Sequence, residues 1–236
     1  MLSGFARSRK FAAPSYRGDL KTQPAFKPPD LDPNLPLLEA YFASEVGRAP
    51  EGIRNYHHED PVAAVVRESA TPASVLVLIV EHPDALRVLL TRRHADISYP
   101  GQICFPGGRA DPGDASVEAT ALREAHEEID LDPSLVRILG RLGDYYTQSG
   151  FRVTPVVGVV EPPLALTANP REVAEILEVP LKALTRAASY QIWRRVPERS
   201  QAFYAMEHGD VRLTGPTVCI AMGFYEALAG ASSPVP

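Results

Sequence analysis

Cysteine is scarce. Cys104 and Cys219 are the only two in 236 residues, too few for a disulfide scaffold, and their spacing matches no zinc-binding pattern. The expectation is a reducing, cytoplasmic setting. Long apolar runs are missing as well: the strongest, Ser74 to Val80 ("SVLVLIV"), falls far short of the ~20 residues a membrane helix needs and has the size of a buried strand. Nor is there an excess of positive charge. With 24 Lys and Arg against 29 Asp and Glu, the formal net charge is −5, which gives no global attraction to polyanions. A phosphorylated ligand must then be held locally, by a metal or a few basic groups, and the expected partner is a small molecule, with no nucleic acid and no membrane.

What is present is an ordinary apolar content of 45%, enough to bury a full core. The first residues, "MLSGFARSRKFAAPSYRGDLK", are basic and lack an acid before Asp19; they read as an arm, with organelle targeting as the lesser alternative. A proline-rich bridge, "TQPAFKPPDLDPNLP", follows. The organisation expected is a poorly ordered arm over 1–36, a helical extension over 37–70, a main domain over 71–230 and a tail over 231–236. From Thr71 onward, short apolar runs alternate with two helical patterns, which implies an α/β sandwich and not a bundle. The strand candidates are Ser74–Val80, Arg87–Thr91, Ile103–Phe105, Arg137–Tyr145, Val153–Val160 and Ala202–Met206. The helices are Ala115–Ile129, with Asp114 as its expected N-cap, and Pro216–Leu228.

The first of these helices carries "REAHEE", Arg123 to Glu128. At about 100° per residue, Glu124, Glu127 and Glu128 share an arc of roughly 100°, while Val117, Ala121, Ala125 and Ile129 occupy the adjoining arc and dock the helix. Like charges at these spacings repel by a few tenths of a kcal/mol per pair, so a cation is expected among them. Alone, the hexapeptide is compatible with an ordinary surface helix neutralised by Arg123 or Arg109. The upstream Phe105-Pro106-Gly107-Gly108 brings a glycine turn back toward the helix, where backbone can approach phosphate or the helix face closely. A hard ion such as Mg²⁺ suits this all-oxygen cluster better than zinc, and no H-E-x-x-H is present.

These residues resemble a known family. "GGRADPGDASVEATALREAHEEIDL" is similar to the Nudix box, a glycine and a spaced acid followed by Arg-Glu and a Glu-Glu pair on a loop-helix-loop. The resemblance implies a Nudix-type α/β/α sandwich with a mixed sheet, and hydrolysis of a nucleoside diphosphate linked to another group with Mg²⁺ or Mn²⁺. It implies that Glu124, Glu127 and Glu128 ligate metal and that Arg123 orients the helix carboxylates. Two departures stand out: the interval from Gly108 to Arg123 is one residue longer than in the commonest box, putting Asp114 or Ala115 at the place of its first glutamate, and Asp130 replaces the glycine after the pair.

Outside the box, "LLTRRHADISYPGQICFPGGRADPGD" resembles the signature of coenzyme A diphosphatases within the Nudix superfamily, as do "YTQSGFRVTPVVGVV", "NPREVAEILEVPL" and "FYAMEHGD". Ser98 and Tyr99 lie where that group has an arginine and a histidine, and Thr214-Gly215-Pro216-Thr217 replaces its Trp-Gly-x-Thr. The resemblance implies cleavage of coenzyme A or an acyl-coenzyme A to 3',5'-ADP and (acyl-)4'-phosphopantetheine. The alternatives are a Nudix pyrophosphatase for ADP-ribose, a dinucleotide or a nucleoside triphosphate, and a Nudix-fold binding or regulatory module; a homodimer is the oligomer considered. Within this reading Glu128 combines metal binding with general-base work, Glu127 assists, and Glu172 of "NPREVAE" offers a further carboxylate. Arg92 and Arg93 are candidate phosphate clamps, and Gly107 and Gly108 the places where backbone meets substrate. Tyr145, Tyr146 and Phe151 are candidates to stack an adenine, with core packing the default for Phe151.

Overall fold

The structure, a computed structural model, describes residues 20–24, 29–55, 67–195 and 203–232. Its strands are β1 (Leu20–Pro24), β2 (Thr71–Glu81), β3 (Leu86–Arg93), β4 (Ile103–Cys104), β5 (Gly107–Arg109), β6 (Arg137–Arg141), β7 (Tyr145–Tyr146), β8 (Phe151–Val160), β9 (Val173–Pro180), β10 (Tyr190–Arg195), β11 (Phe203–His208) and β12 (Val211–Leu213). The helices are α1 (Leu35–Ala43), α2 (Glu45–Arg48), α3 (Val117–Ile129), α4 (Leu181–Leu184) and α5 (Gly215–Ser232).

The strands form one mixed sheet in the order β1-β10-β11-β12-β4-β3-β2-β8-β6, with β5 on β2, β7 on β8 and β9 on β3. Its spine is the parallel pair β2 and β8, in register from Thr71 opposite Phe151 to Val80 opposite Val160. Both strands are buried on their two faces, which is why they read as continuous apolar runs and not as alternating ones. Side chains alternate across the sheet: Leu76, Leu78 and Val80 pack with Ala121, Ala125 and Ile129 of α3, while Val77 and Ile79 pack with α1 and α5 through Tyr41, Phe224 and Leu228. Two apolar layers on opposite faces of one sheet make the α/β/α sandwich.

Several expected boundaries move. Arg137–Tyr145 is split into β6 and β7, with a bulge against β8 between Ile138 and Gly140. The glycine turn is itself a short strand, β5, antiparallel to β2. The described part of the expected N-terminal arm is not loose: the Leu31 N–H donates to the Thr185 carbonyl at 3.0 Å, the Tyr225 hydroxyl donates to the Pro29 carbonyl at 2.8 Å, and β1 pairs with β10. The rest of the arm lies outside the described residues. In the extension, Leu38, Tyr41 and Phe42 of α1 are buried in the same core as α5, so the first described segments belong to the sandwich. Among the described residues no helix is long and apolar enough to cross a membrane.

Candidate active site

Helix α3 starts at Val117, where its sequence suggests Ala115, because Ser116 and not Asp114 is the N-cap: its hydroxyl accepts from the Ala119 N–H at 3.2 Å. Asp114 has another task. Its Oδ1 lies 3.0 Å from Arg123 Nε and its Oδ2 3.0 Å from Nη2, a two-point grip that fixes the guanidinium plane. The Thr120 hydroxyl and the Asp111 N–H also donate to Asp114 at 2.8 and 2.9 Å. The Arg123 hydrogen bond first, and the Asp111 N–H second, hold the Asp114 carboxyl well below the usual carboxylate range. Asp114, not Ala115, therefore stands in for the missing glutamate of the motif. Arg123 then donates to the Arg109 carbonyl at 2.8 Å and places Nη1 3.1 Å from both Glu124 and Glu127.

Burial separates the three glutamates that sequence placed on one arc. The Glu127 side chain is 54% exposed and that of Glu124 15%, whereas Glu128 as a residue is 4% exposed, with Oε2 buried and lacking a hydrogen-bond partner in the protein. Burial foremost, then the charge on Glu124, pushes the Glu128 carboxyl up to about 8; the Gly107 N–H donates to it and pulls the other way, Glu172 adds to the rise and Arg93 opposes it. Glu124 is raised too, chiefly by burial, against the pull of Arg123. Gly108 is a glycine for contact: a Cβ there would fall 2.5 Å from Glu124 Oε2, and one on Gly107, at φ +149°, would fall 2.3 Å from the Ser74 carbonyl oxygen. His126 turns away, its Nδ1 lying 3.1 Å from the Leu131 carbonyl.

The loop that carries Glu172 is tied to the end of α3. The Asn169 N–H donates to the Glu128 carbonyl at 2.8 Å, and the Asn169 amide to the Glu127 carbonyl at 3.3 Å, satisfying orphan carbonyls of the last turn. The Glu172 carbonyl in turn accepts from the His94 N–H at 2.8 Å. The Glu172 carboxylate thereby lies in the field of both Glu124 and Glu128. Asn169 escaped the sequence reading, although an Asn-Pro step is a turn signal.

Arg92 and Arg93 diverge. Arg93 faces the α3 side, where its charge acts on Glu128 and on the Cys104 thiol, and its Nε donates to the Ser98 carbonyl at 2.8 Å. Arg92 is ion-paired to Glu175 at 2.8 Å, on the face that β3 turns toward α5 through Val88 and Leu90. The aromatic candidates also part company: Tyr145 is in the core, Tyr146 lies under Arg67 with 4.5 Å from guanidinium carbon to ring centroid, and Phe151 lies under Arg109 at 5.1 Å.

Among the described residues, no three His, Cys, Asp or Glu side chains are already gathered around one point. The cause is visible: Arg123 draws Glu124 and Glu127 to its own Nη1. The donor set nonetheless fits a hard divalent ion. Every group is a carboxylate oxygen, one of them is a buried orphan, and rotating Glu124 and Glu127 off Arg123 leaves that guanidinium still gripped by Asp114.

A glycine edge pressed onto a carboxylate-bearing helix, on one face of a mixed sheet, sets a group of hard oxygen donors where a divalent ion could be held. The NUDIX domain profile matches residues 70–201, over half of the chain, and the chain belongs to the Nudix hydrolase family, whose members generally use divalent ions such as Mg²⁺ or Mn²⁺. It is 45% identical over 136 residues to a Photorhabdus laumondii protein named uncharacterized Nudix hydrolase NudL, spanning 56% of this chain and 72% of the relative. A NudL of Yersinia enterocolitica is 40% identical over 151 residues, spanning 63% and 77%. Among solved structures it is similar to the Nudix hydrolase RenU of M. smegmatis, with a TM-score of 0.48 and 20% identity over 71% of this chain and 89% of that one.

Proposed function

We propose that the chain is a metal-dependent diphosphatase of coenzyme A or an acyl-coenzyme A, in which water attacks phosphorus, the anhydride P–O bond breaks, and 3',5'-ADP and (acyl-)4'-phosphopantetheine leave. The observation that carries the chemistry is Glu128, a carboxylate buried with one unpartnered oxygen beside Glu124, Glu172 and Arg93. The choice of coenzyme A is supported by the resemblance of Leu89 to Asp114, "LLTRRHADISYPGQICFPGGRADPGD", to the coenzyme A diphosphatase signature.

Glu124, Glu127 and Glu128 are the residues that would hold Mg²⁺ or Mn²⁺. The ion supplies neutralisation of non-bridging phosphate oxygens and a lowered pKa for water. Glu128 Oε2 accepts the proton of the attacking water, and Glu172 is the second carboxylate able to do so. Arg123 keeps the helix acids in place through Asp114. Arg93 is the phosphate clamp, and the backbone of Gly107 and Gly108 gives the close approach. Arg92, committed to Glu175, takes no part.

The test is to incubate the protein with Mg²⁺ or Mn²⁺ and coenzyme A, ADP-ribose, NADH or nucleoside triphosphates, and to identify products by mass spectrometry. Preferred cleavage of coenzyme A to 3',5'-ADP is the expected result. Preference for another substrate assigns a different Nudix pyrophosphatase, and binding without turnover a regulatory module.

A further inference from the structure

The loop between β3 and β4 bears a residue that its own turn does not explain. Tyr99 has φ +59°, a left-handed conformation that costs a residue with a Cβ about 1 kcal/mol or more and that glycine or asparagine takes with less strain. Its ring is no part of the core: Tyr99 is 65% exposed, one of the large apolar residues left in solvent. A strained backbone that displays an aromatic ring to water gains nothing for folding, and such outliers gather at ligand sites.

The loop is held against the active site at both ends. Its first residue, His94, donates its N–H to the Glu172 carbonyl, and the Gly101 N–H donates to the Arg93 carbonyl at 3.0 Å, while the Arg93 N–H donates to the Gln102 carbonyl at 2.9 Å. The Arg93 side chain, whose charge acts on Glu128, grips the Ser98 carbonyl directly before Tyr99. The Tyr99 carbonyl accepts from the Gln102 N–H at 3.3 Å, closing the turn. The residue that faces the catalytic carboxylate thus also fixes the turn presenting the ring. Tyr145 is buried, and Tyr146 and Phe151 each carry a guanidinium over the ring, whereas Tyr99, on the loop tied to Arg93 and Glu172, is exposed.

We propose that Tyr99 is a specificity-determining residue whose ring stacks on the nucleobase of the substrate. The inference rests on the nucleoside diphosphate reading of the site and names its base-binding element. A planar base offers a π-face to the exposed ring while the phosphates lie toward Arg93, and stacking of this kind tolerates any base.

The test compares dissociation constants of AMP and ribose 5-phosphate, which differ by the base alone, measured by calorimetry on the full chain and therefore independent of turnover. Tyr99→Asn accepts the left-handed turn and deletes the ring, Tyr99→Leu keeps apolar bulk without a π-face, and Tyr99→Phe keeps the ring. The wild type and Tyr99→Phe are expected to prefer AMP about tenfold, the size of one base–aromatic stack, and Tyr99→Asn and Tyr99→Leu to lose that preference with an unchanged or higher melting temperature. An unchanged AMP preference in Tyr99→Asn, its survival in Tyr99→Leu, or its absence from the wild type overturns the proposal. A wild type that prefers AMP through Tyr99 yet cleaves no pyrophosphate supports it and sinks the hydrolase reading alone.

Discussion

The two long helices cover opposite faces of one sheet and use their burial differently. Helix α5 buries Val218, Cys219, Ile220, Ala221, Met222, Phe224, Tyr225, Leu228 and Ala229, apolar on nearly every side, and holds the sandwich together. Helix α3 buries Ala121, Ala125 and Ile129 for the same purpose, but spends a further buried position on Glu128. An ionised carboxylate out of water is costly unless paired, and one oxygen of Glu128 has no partner. The contrast teaches that α5 buries apolar side chains throughout, whereas α3 accepts a stability cost at Glu128.

The largest effect that would break this contrast comes from exchanging roles. Glu128→Gln preserves side-chain volume and deletes charge and basicity, so kcat should fall by about 10²–10⁴, the usual contribution of a positioned base, while the metal-free melting temperature stays or rises. Leu228→Ala on α5 should do the reverse, costing about 2–5 kcal/mol of stability with near-normal turnover per folded molecule. Denaturant melts and single-substrate kinetics on both variants decide; full activity in Glu128→Gln would return "REAHEE" to an ordinary helix face.

A second, smaller effect is read in pH. The Glu128 carboxyl is raised from 4.5 to about 8 in the fold, so between these values the folded state binds a proton that the unfolded chain has released. The stability this contributes is fully present below about pH 4.5 and is lost as pH rises through about 8, at most roughly 5 kcal/mol. Metal-free protein should therefore lose stability from pH 5 to pH 8, Glu128→Gln should show a flatter profile, and added Mg²⁺ should restore wild-type stability most at the upper end. A metal-free profile identical in both proteins would mean that Glu128 is solvated.

How much of this was legible in sequence depends on the residue. The spine strands and the docking face of α3 were, since Leu76–Val80, Val156–Val160 and the set Ala121, Ala125 and Ile129 announce burial by composition and period. Strands β5 and β9 were not: the first is made of glycines, and the second, half-exposed with a bulge opposite Arg92 and Arg93, lacks alternation. Helical angle placed Glu127 and Glu128 together but could not say that Glu128 is buried while Glu127 stays exposed. The divergence of Arg92 and Arg93 follows from strand alternation, and their candidacy as a pair ignored it. Of the two places expected for Asp114, the helix cap, which an acid before a helix suggests first, fell to Ser116, while its place at the motif's first glutamate is filled by a grip on Arg123 that is tertiary.

The smallest effect sharpens the comparison at the end of α3, where structure and site can be separated. Asp130 ends the helix at φ +56°, ψ +32°, with its N–H donated to the His126 carbonyl at 2.9 Å. This is the left-handed position that favours glycine, which explains why the related motif has glycine there. Asp130 also sets a negative charge at the negative end of the helix dipole. Its nearest charged contact, His126 Nδ1 at 3.9 Å, is too long to be a hydrogen bond. Asp130→Gly should therefore stabilise the fold by about 1 kcal/mol, the strain relieved exceeding the entropy glycine adds to the unfolded chain. Turnover should stay unchanged, because Asn169 continues to hold the last carbonyls of α3 and the Glu172 loop beside them. A melting temperature that falls in Asp130→Gly would show that the aspartate side chain, and not the backbone it strains, secures this end of the helix.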